Sequence, residues 1–250
     1  MSVEYDRRGP IAVVTVDRPD RRNAVDDATA EKLGDAWDRF DEDADALVGV
    51  LTGSGNTFSA GADLEAMDLE DRPEGWLGFT RRRVSKPTVA AVEGHCVAGG
   101  LEMALWCDLR VAGESATFGC FERRFGVPLV DGGTQRLPHV VGLGRALELI
   151  LTGRELDAET AAEWGLVNRL APAGAALETA VELAEVIAGF PQETVRTDRA
   201  AVYDGLGETL ERGLAVEGWH GSRAMETARE GADRFAGGEG RGGEGVPDGE

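Results

Sequence analysis

Short apolar runs that stop at glycine, alternating with stretches of helical periodicity, constrain this chain of 250 residues more than any other feature. Residues 11–17 (IAVVTVD) follow a Gly9-Pro10 turn and are rich in β-branched side chains. Residues 47–52 (LVGVLT) run into Gly53-Ser54-Gly55, and residues 88–92 (TVAAV) run into Gly94. Both read as buried strands. Between the first two runs, Ala30, Leu33, Trp37 and Phe40 recur at helical spacing behind Asp26-Asp27, which suits an N-cap. Further helices are expected at 100–107, 143–151, 158–164, 175–189 and 206–232, with short strands at 109–112 and 167–170. Strands separated by helices predict an α/β core of βαβ type with parallel pairing. The helical last third is expected to form an appendage, and the glycine-dense 237–250 a flexible tail. The expected division is a core of 1–190, a helical region of 191–236 and the tail.

Charge narrows the partners. Acidic residues number 46 against 26 basic ones, a net of −20. Such a surface repels nucleic-acid phosphates and anionic lipid, so neither nucleic acid nor membrane is an expected partner. Of the basic residues only Lys32 and Lys86 are lysine. That bias fits either GC-rich coding or adaptation to high salt, where self-repulsion is screened. No run approaches the length of a membrane span, and the acidic first residues hold no signal-peptide core. Cys96, Cys107 and Cys120 form no Cys-x-x-Cys pair, so reduced thiols, a cytoplasmic location and no metal site are expected.

Three small-residue loops follow strand-like runs: Phe58–Leu64 (FSAGADL), Gly94–Glu102 (GHCVAGGLE) and Phe118–Glu122, which continues to Asp131–Thr134 (DGGT). Glycine and alanine let backbone N–H groups approach a ligand, and a following helix adds positive potential. Two such loops meeting would aim two donors at one developing oxyanion. Alone, such turns are ordinary.

The joint pattern is not. Arg18-Pro19 with Arg22-Asn23-Ala24-Val25, then FSAGADL, then Ala98–Asp108 (AGGLEMALWCD), then Gly132–Pro138 (GGTQRLP) stand in order. Leu151-Thr152-Gly153 and Trp164–Asn168 extend the series. In these motifs the chain resembles the crotonase, or enoyl-CoA hydratase/isomerase, superfamily. The resemblance implies a crotonase-like spiral of ββα units with a helical C-terminal trimerisation region, assembled as a homotrimer or a dimer of trimers. It implies acyl-CoA thioester substrates, with coenzyme A entering only as part of the substrate and no separate cofactor.

By motif position, the family's two oxyanion-holding N–H groups fall on Ala62 and Gly99, and its two hydratase glutamates on Glu102 and Glu122. One carboxylate would hold the water that attacks Cβ, and one would deliver a proton to Cα. Glu122 is assigned to the Cα proton and Glu102 to the water, a task both can share. The plainer alternatives are a first-turn helix carboxylate for Glu102 and a solvated ion pair with Arg123 or Arg124 for Glu122. The family's substrate contacts fall on Arg22, Ala24, Ala60, Asp63 and Leu64, with Arg22 the first candidate for the CoA phosphates and Arg229 or Arg241 the second. Trp76, Phe79 and a helix-like stretch to Val84 are expected to wall the acyl pocket, and His95 to play no catalytic part.

Asp131 departs from the hydratase pattern. It is either a third pocket carboxylate or the cap of the helix starting near Gly133. The expected activity is addition of water to a trans-2-enoyl-CoA, giving the 3-hydroxyacyl-CoA. The rival enzyme reading is an enoyl- or dienoyl-CoA isomerase, or an acyl-CoA or diketone hydrolase, using Asp131. A silent scaffold or RNA-binding member is the third reading, and the acidic surface and two-lysine count oppose RNA.

Overall fold

The structure, a computed structural model, describes residues 2–239. They fall into two compact units, one running to Glu185 and one starting at Val186. Most of the expected tail, residues 240–250 with Arg241, lies outside the described residues.

The first unit begins with a hairpin of β1 (Val3–Arg8) and β2 (Ile11–Val16), followed by α1 (Asp27–Glu42), β3 (Val48–Gly53) and β4 (Thr88–Val92). Next come β5 (His95–Val97), α2 (Gly99–Trp106), β6 (Leu109–Gly113) and β7 (Thr117–Gly119). The unit continues with α3 (Gly133–Val141), α4 (Leu143–Thr152), β8 (Leu156–Asp157), α5 (Ala158–Glu163) and β9 (Arg169–Ala171), and reaches α6 (Ala176–Ala188). The second unit holds α7 (Gln192–Gly205), α8 (Leu210–Arg223) and α9 (Met225–Ala236). Inside it, His220 of α8 bonds Asp204 of α7 at 2.8 Å.

Six strands form one sheet in the order β1-β2-β3-β4-β6-β9, and β5-β7-β8 form a smaller one. Only the β1–β2 pair is antiparallel in the large sheet. Ile11 pairs with Val48, Gly49 with Thr88 and Val89 with Leu109, so the apolar runs lie side by side. Strands buried on both faces are mostly apolar, which is why these segments lack alternation.

Aromatic rings lock α1 to the sheet and to α2. Trp37 lies 4.7 Å from Trp106 and 5.6 Å from Phe40, and Phe79 meets Trp106 edge-on at 4.7 Å. Gly49 permits this packing, because a Cβ there would stand 2.8 Å from the Trp37 ring.

The structure corrects several expectations. The stretch from Trp76 to Val84 is not helical, because Gly75 and Gly78 turn it with φ of 105° and 86°. Phe79 points into the aromatic cluster and does not line the cavity described below. Residues 206–232 are not one helix: the Thr209 side chain accepts from Arg212 N–H and starts α8 afresh, and α9 follows as a separate helix.

Candidate active site

Ala62 and Gly99 sit where two loops are zipped together. Val25 N–H donates to Gly61 O, and Asp63 N–H donates to Val25 O, each at 2.8 Å. Neighbouring residues of an extended segment direct their amides to opposite sides, so the Ala62 N–H faces away from Val25. On the other flank, Ser59 pairs with β5 through Ser59 N–H to His95 O and Val97 N–H to Ser59 O. The next residue, Ala98, holds φ at 53°, a conformation that alanine rarely adopts, and starts α2 at Gly99. The Gly99 N–H is thereby one of the unsatisfied donors at a helix N-terminus. Among the described residues, neither the Ala62 nor the Gly99 N–H has a protein acceptor.

The spacing between these loops tolerates no side chain. A Cβ on Gly61, whose φ is 86°, would stand 2.5 Å from Gly99 N. Asn23 anchors the first loop from beneath: it accepts from Arg18 N–H at 2.9 Å and donates to Ser54 O and Thr57 O at 2.9 and 2.6 Å. Ser59 Oγ donates to Asn23 O and accepts from Gly61 N–H. These supports, Asn23 and Ser59, were not singled out from sequence, because only the fold reveals what their polar groups hold.

A cavity of about 850 Å³ opens beside the two amides, lined by Ala62, Gly99, Glu102, Glu122 and Asp131. Arg22, Ala24, Ala60, Asp63 and Leu64 line it as well, with Trp76, Leu77, Val97, Phe121 and Val130. The structure thus gathers the oxyanion, glutamate and substrate-contact positions expected in the first unit, together with Trp76, whereas Phe79 and Val84 do not line the cavity. Arg229 lies in α9 of the second unit, and His95 is exposed on β5 away from the cavity.

The three carboxylates are held differently. Glu102 comes from the first turn of α2, whose residues 100–106 are all buried. Its Oε1 accepts from Asp131 N–H at 2.9 Å and Gly133 N–H at 2.8 Å. Burial pushes its carboxyl up to about 7, opposed by the Gly133 amide and reinforced by the Asp131 and Glu122 charges. Glu122 sits in a 3₁₀ turn, Phe121–Phe125, and is also buried. Neither of its oxygens has a hydrogen-bond partner among the described residues, and burial raises its pKa. The solvated-pair alternative is excluded by the arginines themselves. Arg123 donates to Ile150 O, and Arg124 stacks on Phe121 while donating to Gly153 O.

Asp131 is buried on the cavity wall, and its carboxylate accepts from Leu77 N–H and the Thr80 hydroxyl. It does not cap a helix, since the N-cap of α3 is Gly132 and no side chain caps it. Asp63 bonds Arg18 at 3.0 Å and the Glu65 and Ala66 amides at 3.1 and 3.3 Å. Burial works to raise its pKa, but the Ala66, Arg18 and Glu65 hydrogen bonds together hold it below the usual range. Arg22 is exposed at the cavity edge with no side-chain partner among the described residues, whereas Arg21 beside it pairs with Glu65.

Two free amides beside a cavity flanked by buried carboxyl groups on a spiral of strands and helices define a protein of the crotonase fold. The sequence model of the family "Enoyl-CoA hydratase/isomerase" matches residues 6–239. The chain is 35% identical over 240 residues to a probable mitochondrial enoyl-CoA hydratase of Dictyostelium discoideum, covering 92% of this chain and 86% of that one. It is also 35% identical over 225 residues to a short-chain-enoyl-CoA hydratase of Clostridium acetobutylicum, covering 86% of each. Among solved structures, an enoyl-CoA hydratase from Mycobacterium marinum superposes with a TM-score of 0.90 at 39% identity, covering 94% and 95% of the two chains. The chain belongs to the enoyl-CoA hydratase/isomerase family.

Proposed function

We propose that this protein is an enoyl-CoA hydratase, a hydro-lyase adding water across the double bond of a trans-2-enoyl-CoA to give the 3-hydroxyacyl-CoA. The observation that carries the reading is the pair of buried glutamates, one anchored by two amides and one with both oxygens unpartnered, beside two free N–H groups. Relatives named as hydratases support the reaction class.

In this reading the thioester oxygen accepts from the Ala62 and Gly99 N–H groups. Water held by Glu102 adds its oxygen to Cβ and gives a proton to a carboxylate. The electron pair of the double bond moves to Cα and the thioester, whose enolate oxygen the two amides stabilise. Glu122 then gives its proton to Cα, and solvent exchange restores the starting proton inventory. Removing one donor of such a hole costs about 3–4 kcal/mol elsewhere. Fixing Glu102 Oε1 leaves its second oxygen for water, which supports the division of labour. Neither step calls on a metal or redox cofactor, and CoA is present only as part of the substrate.

Arg22, the unpartnered cation at the cavity edge, is assigned to the CoA phosphates, with Ala24, Ala60, Asp63 and Leu64 shaping the handle's seat. Leu143, Leu147 and Leu151 share one exposed face of α4 at 64%, 42% and 69% exposure, which supports a trimer or a dimer of trimers. Three buried, unbridged cysteines fit a cytoplasmic location. No helix among the described residues is long and apolar enough to cross a membrane.

The test is consumption of the enoyl-thioester absorbance on crotonyl-CoA and longer homologues, with the hydroxyacyl product identified by mass. Inactivity on all chain lengths would refute the reading. The rival use of Asp131 as a reacting acid is separated from this reading by Asp131→Asn, which keeps an oxygen acceptor at the position held by Leu77 and Thr80 and has no acidic proton to give.

A further inference from the structure

Asp131 is 2% exposed on the cavity wall, and the hydration chemistry gives it no task. Its bonds run in two directions. The side chain accepts, through Oδ1, from Leu77 N–H at 3.2 Å and from the Thr80 hydroxyl. Both donors belong to the turn of residues 75–80 that places Trp76 and Leu77 on the cavity wall. The main chain of Asp131 donates to Glu102 Oε1 at 2.9 Å, beside the Gly133 amide at 2.8 Å. Arg136 braces the same junction, with Nη1 donating to Asp131 O at 2.9 Å and Nη2 to Thr80 O at 2.5 Å. The turn itself is closely fitted, since a Cβ on Gly75 would stand 2.7 Å from Asp131 Oδ1.

We propose that Asp131 is a positioning residue that locks the 75–80 cavity wall to the loop whose amides orient Glu102. The seat of the acyl chain and the aim of the first glutamate are then set by one residue. Its consequence for turnover rests on the hydratase reading, whereas the bridge itself does not. Losing the acceptor strands a buried N–H and a buried hydroxyl. A wall that relaxes lets Glu102 drift, and a small misplacement of a reacting group costs up to about a hundredfold in rate. Asparagine keeps an acceptor at Oδ1 and cannot carry a carboxylate's proton, so it separates holding from proton transfer.

Wild type, Asp131→Asn, Asp131→Ala, Thr80→Val, Thr80→Ser and the Asp131→Ala/Thr80→Val double variant are assayed on crotonyl-CoA and a medium-chain enoyl-CoA. Amide exchange of segment 75–80 is followed in the same proteins without substrate. Asp131→Asn is expected to stay within about threefold of wild-type kcat with protected amides. Asp131→Ala should lose roughly ten- to a hundredfold in kcat with faster exchange. Thr80→Val should fall between them and raise KM for the medium chain most, Thr80→Ser should behave as wild type, and the double variant should be no worse than Asp131→Ala. Asp131→Asn as impaired as Asp131→Ala, with exchange at the wild-type rate, would overturn the proposal in favour of a reacting carboxylate. Wild-type kcat and exchange in Asp131→Ala would overturn it too. Should Asp131→Ala not fold, equal exchange and kcat in Thr80→Val and Thr80→Ser contradict the bridge. Wild type inactive on both thioesters would sink the hydratase reading alone, leaving the exchange data to judge the bridge.

Discussion

Glu102 and Glu122 share one cavity but stand in unequal environments, and that inequality makes separable predictions. Glu102 titrates near 7 in the folded protein against an ordinary value of 4.5, with burial the largest cause. Above pH 7 the fold therefore holds a charge that the unfolded chain would solvate freely, so ionised Glu102 subtracts stability. The deficit is full above the folded value and disappears as pH falls through 7 towards 4.5. Glu102→Gln, neutral throughout, is expected to be more stable than wild type at pH 8, by about 3 kcal/mol at most. The gain should shrink on titration to pH 5, as read by chemical denaturation at each pH. Activity moves the other way, because the amide cannot take up a water proton. Glu122→Gln should lower kcat by about 10²- to 10⁴-fold with little change in fold.

Among the elements, the start of α2 carries the most strain and the most function. Ala98 takes its positive φ so that Gly99 presents its N–H to the cavity, and Gly61 gives way opposite it. Gly61→Ala is predicted to fill the space between the two amides and reduce kcat/KM by about a hundredfold or more, while Glu102 keeps its bonds. Steady-state kinetics beside circular dichroism would show this. Gly49→Ala in β3 should instead reduce stability, because its Cβ meets Trp37 and Phe40, and should leave the cavity residues in place.

What sequence could reveal at this scale follows from physical causes. The parallel strands announced themselves through apolar runs, since burial on both faces favours apolar side chains on both. β1 was not foreseen, because its outer face is charged and only Val3 is fully buried. β5, β7 and β8 span two or three residues each, too short for any period to register. The cavity-lining positions were legible because four motifs stand in family order. What held them was not: Asn23 beneath the first loop and Thr80 on Asp131 act through contacts 31 to 51 residues away in sequence. The helical cap for Asp131 failed for the same reason, since its acceptor is spent on a distant turn.

At the scale of the whole molecule, the −20 charge must coexist with a substrate whose handle is anionic. Acidity therefore cannot serve binding, and the proposed role of Arg22 is to offset it locally. Self-repulsion of this size is screened within a few ångströms in molar salt. Thermal stability and activity are accordingly predicted to rise between dilute buffer and molar KCl, as followed by melting curves and initial rates. Full activity and stability in dilute buffer would leave the arginine bias to coding composition. Light scattering should find a trimer or hexamer.

The central claim is that two amides and two glutamates deliver water to Cβ and a proton to Cα. Turnover of crotonyl-CoA in D₂O, with the product read by NMR, tests it most directly. Wild type should yield 3-hydroxybutyryl-CoA carrying one deuterium at Cα, and Glu122→Gln should yield almost none in the same time. No hydroxyacyl product from wild type, or the same deuterated product at the same rate from Glu122→Gln, would contradict the account.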